Sequence, residues 1–201
     1  MRRPLVLDVS DLPAFAFGAR ASLWWGVWGL IAIEGTMFGL LIGSYFYLRL
    51  GTPGWPPGGT PLPGLLAATA NVVVLLASLG PMVWAHRSAL RRGRLATLAA
   101  LVLSIVVGVV VLALRTREFV ALGCRWDTHA YGSITWTILG MHTGHVIAAT
   151  VENVLLVALL VNGPVEAKHY VDLETNALYW YFVVAAWLPL YLLVFLGPRI
   201  L

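Results

Sequence analysis

The chain has 201 residues, 60% apolar and only 11% charged, with a net charge of +4 set by twelve Arg and one Lys against nine acids. Water-soluble globules are about half apolar and about a quarter charged, so this composition excludes a soluble domain and puts the chain in a membrane. There the basic excess reads as orientation charge and lipid-headgroup contact, not as a nucleic-acid footprint, and the lone Cys124 excludes an internal disulfide.

The first twenty residues hold Arg2, Arg3, Asp8, Asp11 and Pro13 and lack an apolar core, so no cleavable signal peptide is expected. Five runs beyond them reach the roughly 20 residues of helix needed to cross a hydrocarbon core of about 30 Å. They cover 23–48, 64–85, 95–114, 131–161 and 177–196. No alternating β pattern is present, so the expected fold is an all-α membrane bundle of five helices in one domain over residues 1–201.

The first span reads LIAIEGTMFGLLIG over 30–43 and carries Glu34 near mid-membrane. A bare carboxylate there costs several kcal/mol, so Glu34 is protonated, paired or facing a wet cavity. Two readings stand: a neutral hydrogen-bonded core carboxyl, or a proton- or lipid-related site. Gly35, Gly39 and Gly43 form a small-residue ladder beside it, which predicts close approach of another helix. Trp24, Trp25 and Trp28 open this span as interfacial aromatics. The Pro- and Gly-rich link GTPGWPPGGTPLP is either an ordered turn or a loose linker.

In the second span Asn71 and Ser78 share one face and read as interhelical polar packing, and Gly80-Pro81 predicts a bend. The basic loop HRSALRRGR follows. With the N-terminus inside, eight cations (Arg2, Arg3, Arg20, Arg87, Arg91, Arg92, Arg94 and Lys168) lie inside and five (Arg49, Arg115, Arg117, Arg125 and Arg199) outside, which favours N-in and C-out. The fourth span carries His142, His145 and Glu152 along one face. The favoured reading is buried histidines bonded to neighbouring helices, because no second histidine pair stands inside another span to complete a metal site. Tyr179, Trp180 and Tyr181 open the fifth span at its inner interface, and Pro189 predicts a second bend.

These residues, in this order, resemble the cytochrome c oxidase subunit III family in its five-span bacterial form. WWGVWGLIAIEGTMFGLLIGSYFYLRL is similar to the family's opening helix, through Trp25, Gly26, Glu34, Phe38, Tyr45, Phe46 and Arg49. Asn71 with Leu75, Leu76 and Ser78, the pair Glu118-Phe119, the stretch AYGSITWTILGMHTGHV, and HYVDLETNALYWYFVVAAWLPLY resemble its later motifs. Four positions depart from the pattern. Tyr181 and Val184 stand where the family has His and Asp, Arg115 stands where it has Gln, and Glu152 has no counterpart.

The resemblance implies a non-catalytic subunit of a haem–copper terminal oxidase in a bacterial inner membrane. It would pack beside subunit I, with subunit II and others in the complex, and support proton uptake. It would bind no haem, copper or other metal itself, those centres belonging to its partners, and would hold phospholipid in a cleft between the first two helices and the rest. The family's carbodiimide-reactive carboxyl maps to Glu34, and Trp24, Trp25, Arg49 and Trp180 become candidate lipid and interface contacts. The alternatives are an accessory subunit of a nitric oxide reductase-type complex, a small proton-coupled transporter using Glu34 and Glu152, or a pure assembly scaffold.

Overall fold

The computed structural model describes residues 21–162 and 167–200, with side chains described for 22–162 and 171–200. Arg2, Arg3, Arg20 and the side chains of Lys168 and His169 lie outside these. The described chain is helical: α1 (Ala21–Leu50), α2 (Leu65–Ala77), α3 (Leu79–Leu90), α4 (Arg94–Ala121), α5 (Ala130–Asn162) and α6 (Ala167–Tyr191). A π-helical turn (Leu192–Leu196) and the short α7 (Gly197–Ile200) finish it. Five stretches are long and apolar enough to cross a membrane: Ser22–Leu50, Leu65–Leu90, Arg94–Ala121, Ala130–Asn162 and Val171–Ile200.

Two spans outrun their apolar runs. The third continues past Leu114 to Ala121, and the helix of the fifth begins at Ala167, well before Ala177. Each extension carries charges (Arg115, Arg117 and Glu118 in one, Asp172 and Glu174 in the other) that lower local hydropathy. The backbone ladder continues through them because hydrogen bonding along a helix does not depend on side-chain polarity. Arg115 is therefore inside a helix and 1% exposed, not a loop charge, so the outer count of five cations falls to four.

The bend in the second span is a break at Ser78, between α2 and α3. Pro81 has no N–H to return to the Ala77 carbonyl, and the ladder interrupts there. In α6 the chain runs through Pro189 as helix, and the irregularity falls just beyond it as the π turn.

Packing makes α6 the hub. It touches α1, α2, α3 and α5, while α4 touches α2, α3 and α5. Half of the fifth span's apolar window is buried, against 6% of the first span's. The first span is thus an outrigger that leans chiefly on α5 and α6 and shows Trp25, Leu40 and Tyr47 outward. The cleft differs from the implied one accordingly. The first helix packs on α5 and α6 and the second span on α4 and α6, and a pocket lies between α1, α3 and α6. It holds about 160 Å³ among Trp24, Trp28, His86, Glu174 and Tyr181. A second, apolar trough of about 410 Å³ lies between the second span and α6, among Leu76, Val83, Tyr181, Val184 and Leu188.

The Pro- and Gly-rich link is an ordered cap. Trp55 stacks edge-on between Tyr45 (5.3 Å) and Tyr131 (5.1 Å), tying α1 to α5. Gly64 N–H donates to the Ala121 carbonyl at 2.8 Å. Arg199 donates to the Pro63 carbonyl at 2.5 Å. Gly123, at φ +66°, turns the chain out of α4 against Pro61, where a side chain would be strained on both counts.

The tightest junction between spans lies at Gly108 of α4, where an ideal Cβ would stand 2.6 Å from Thr150 Oγ1 and 3.4 Å from the Trp180 ring. Gly108→Ala should destabilise the protein by about 1–3 kcal/mol through overpacking. Gly140→Ala, where a Cβ meets nothing within 4 Å, should be neutral or stabilising. Thermal unfolding of the two purified variants checks this pair.

Candidate functional site

Glu34 is carried on the inner face of α1, the stripe Ile31, Glu34, Phe38, Leu41, Tyr45 that packs against α5 and α6. Its Oε1 accepts from the Tyr179 hydroxyl at 3.3 Å. Its Oε2 faces His145 Nε2 at 3.4 Å, both side chains being mostly buried. Phe38, one turn on from Glu34, closes over the imidazole with ring centroids 4.9 Å apart.

The proton inventory of this site follows from hydrogen-bond chemistry. His145 Nδ1 lies 2.7 Å from the Met141 carbonyl, which can only accept, so Nδ1 carries a hydrogen. In the neutral ring Nε2 is then a lone pair. It faces a carboxylate oxygen, also an acceptor. Two acceptors facing each other away from water repel, and a hydrogen carried by either one would turn the contact into a hydrogen bond. Tyr179 supplies its hydroxyl hydrogen to the other carboxyl oxygen. The geometry can store one proton and pass it between a carboxyl and an imidazole.

A second polar cluster lies deeper and works differently. Arg115 donates to Glu118, one turn along α4, and to His142 Nδ1 at 2.9 Å. His142 Nε2 donates to the Val183 carbonyl at 3.0 Å, so its ring is neutral with a fixed tautomer. The guanidinium lies 3.8 Å over the Trp187 ring, and Arg115, Glu118, His142, Trp187 and Asn71 are all essentially unexposed. Both His142 nitrogens are committed, and its lone pair points at a cation. This ring is a structural element and cannot ligate a metal without dismantling the cluster. Among the described residues no three His, Cys, Asp or Glu side chains converge.

The other predicted residues divide. Ser78 is interhelical as expected: its Oγ accepts from Trp180 Nε1 at 2.9 Å. That bond corrects the reading of Trp180 as an interface contact. The helix begins at Ala167, well before the apolar run at Ala177, so Trp180 sits inside the bundle, 1% exposed. Trp24 lines the pocket between α1, α3 and α6, and Trp25 is 68% exposed, both near the start of α1. Arg49 is half-buried in the last turn of α1. Glu152 is half-buried on α5. Along the glycine ladder, a Cβ added at Gly35 would stand 3.9 Å from Phe182, and at Gly39 and Gly43, which are exposed, it would meet nothing of this chain within 4 Å. The ladder advances four residues per step while a helix turns every 3.6, so it drifts off the packed stripe. Cys124, in the link between α4 and α5, is half-buried, and burial pushes its thiol up, away from the nucleophilic thiolate.

Sequence reasoning missed the Tyr179 contact and the Arg115–Glu118–His142 cluster. The i,i+3 spacing of Arg115 and Glu118 was the available signal.

The family model described as "Cytochrome c oxidase subunit III" matches residues 15–197. The protein "Cytochrome c oxidase subunit 3" of Paracentrotus lividus is 32% identical over 142 residues, covering 70% of this chain and 54% of its own. That of Formosania lacustris is 35% identical over 144 residues with the same coverage. That of Lumbricus terrestris is 30% identical over 177 residues, covering 85% of this chain and 68% of its own. The chain thus spans a little over half the length of several curated relatives it matches.

Removing one partner of a buried ion pair leaves an uncompensated charge, typically at a cost of about 3–5 kcal/mol. Arg115→Leu should destabilise by that order, and Arg115→Leu with Glu118→Leu should recover most of the loss. A double-mutant cycle on unfolding midpoints measures the coupling.

Proposed function

The chain belongs to the cytochrome c oxidase subunit III family, and we propose on that premise that it is a non-catalytic subunit of a respiratory haem–copper terminal oxidase in a bacterial inner membrane. The observation that carries the reading is the family match over residues 15–197, which takes in both polar clusters. The redox chemistry belongs to its partners, with subunit I the neighbour against which it packs. Its own contribution is protonic and structural. Glu34 and His145 hold one proton inside the membrane, beside the subunit that consumes protons, while the Arg115 cluster keeps the bundle rigid around them.

Orientation follows the charges. Arg87, Arg91, Arg92 and Arg94 cluster between α3 and α4, and with Arg115 removed from the outer loops the asymmetry deepens, so the N-terminus is cytoplasmic and the C-terminus periplasmic. The pocket between α1, α3 and α6 then opens near the cytoplasmic face. Its aromatic lining and the apolar trough along the second span suit a phospholipid, with Trp24 at headgroup level and acyl chain against Leu76, Val184 and Leu188.

Affinity purification through this chain should give a coloured complex with haem-containing partners and a subunit I among its polypeptides. A colourless homo-oligomer would overturn the reading in favour of a transporter. Glu34→Gln should assemble with full haem content and change oxidase turnover by less than about tenfold, below what a positioned proton donor contributes. Complete loss of turnover with intact haem would give Glu34 an obligatory role and contradict a supporting one.

A further inference from the structure

α5 begins at Ala130, so His129 holds its N-cap, a place where Ser, Thr, Asp or Asn is the usual choice. His129 does that work with its ring. Nδ1 accepts from the Gly132 N–H at 2.9 Å, while the His129 carbonyl accepts the first helical bond from the Ser133 N–H at 3.0 Å. A ring nitrogen that accepts carries no hydrogen, so the ring is neutral with its hydrogen on Nε2. Nε2 donates to Thr60 Oγ1 at 3.0 Å. One imidazole thus joins the first turn of α5 to the Pro- and Gly-rich cap over 51–64, across 69 residues of chain.

The link between α4 and α5 fixes the ring in that place. Thr128 Oγ1 donates to the Arg125 carbonyl at 2.9 Å, Ser133 Oγ to that of Trp126 at 2.6 Å, and Trp136 Nε1 to that of Cys124 at 2.8 Å. A Cβ at Gly132 would collide with the Arg125 carbonyl, so the link lies directly over the turn that the ring caps. His129 is half-buried and stands outside the apolar span, within reach of water. The cap over 51–64 holds no titratable side chain. The titratable and charged groups of the other elements meeting here are Tyr131 on α5, 6.0 Å ring to ring, Tyr45 on α1, Cys124, Arg125 and Asp127 in the link, and Arg199 on α7. Arg125 and Asp127 are paired with each other at 2.9 Å, and Arg199 is spent on the Pro63 and Phe195 carbonyls.

Protonation undoes this arrangement at one atom. An imidazolium has a hydrogen on both nitrogens, so Nδ1–H would point at the Gly132 N–H, donor against donor. The new charge would also sit at the positive end of the α5 dipole. The ring must turn away from the helix, and its bond to Thr60 goes with it. The neutral form holds both elements, so the junction is closed at high pH and opens as pH falls through the range of imidazole titration. We propose that His129 is an acid-sensitive latch between the cap and the start of α5. Under the orientation proposed above, it faces the periplasm.

Hydrogen exchange of the complex purified through this chain, in lipid nanodiscs, tests the latch. Protection is read by mass spectrometry at about pH 8 and about pH 5, corrected for the intrinsic pH dependence of amide exchange. Protection over 130–136 should fall about fivefold or more at the lower pH, the loss of one N-cap, and protection over 51–64 should fall with it. His129→Asn, whose side-chain oxygen caps a helix without titrating, should remove the pH step in α5. Thr60→Val should keep the step in α5 and remove it from the cap. Asp127→Asn should leave both steps in place. A wild-type protein without a step, or a step that survives in His129→Asn, overturns the proposal. A step in α5 with none in the cap reduces His129 to a helix cap and overturns the latch.

Discussion

The polar side chains that join these helices answer to one constraint: inside hydrocarbon there is no water to complete a hydrogen bond. Helices meet it for the backbone. Side chains must meet it among themselves, and where they do so decides how the helices pack. Trp180 reaches Ser78 at the break in the second span, and Asn176 reaches Asn153 across α5 and α6. His142 ties the Arg115 side of α4 to the backbone of α6. The hub position of α6 is the sum of these obligations, because it is the helix to which the others bring their unmet donors and acceptors.

Two clusters satisfy the constraint in opposite ways. Around Arg115 each hydrogen has a defined owner, and the ring of His142 is fixed by a cation on one nitrogen and a carbonyl on the other. Around Glu34 the partners are so arranged that one hydrogen has two possible owners. The first arrangement is rigid by construction. The second retains a degree of freedom that burial does not remove, and this separates a packing device from a site.

The number of spans, their approximate limits and the importance of Glu34 were legible because they are local properties of composition. The break at Ser78 was legible because proline acts on its own helix. What was not legible depends on register between helices distant in the chain. Nothing near Tyr179 in sequence says that its hydroxyl meets a carboxyl 145 residues earlier. Arg115 looked like an outer loop charge because a hydropathy window scores each charge alone, whereas Arg115 and Glu118 neutralise each other and enter the core together. Where the glycine ladder points was hidden for a related reason. Small residues four apart permit close approach, but only the rest of the helix face decides which way they point, and here Phe38 and Tyr45 turn the inner stripe away from Gly39 and Gly43.

The spacing of the Arg115–Glu118 pair also bears on how the protein is made. Both residues are on α4, one turn apart, so the pair closes within a single helix before any neighbour exists. The third span can therefore leave the insertion machinery with this pair already closed, before α5 and α6 bring His142 and Trp187 to it. The Glu34–His145 contact has no such independence. Its halves are separated by three intervening helices, and Glu34 waits in the membrane as a lone carboxyl until α5 is synthesised. The order of synthesis thus makes the Arg115–Glu118 pair an early event and the Glu34–His145 contact the mark of a finished fold.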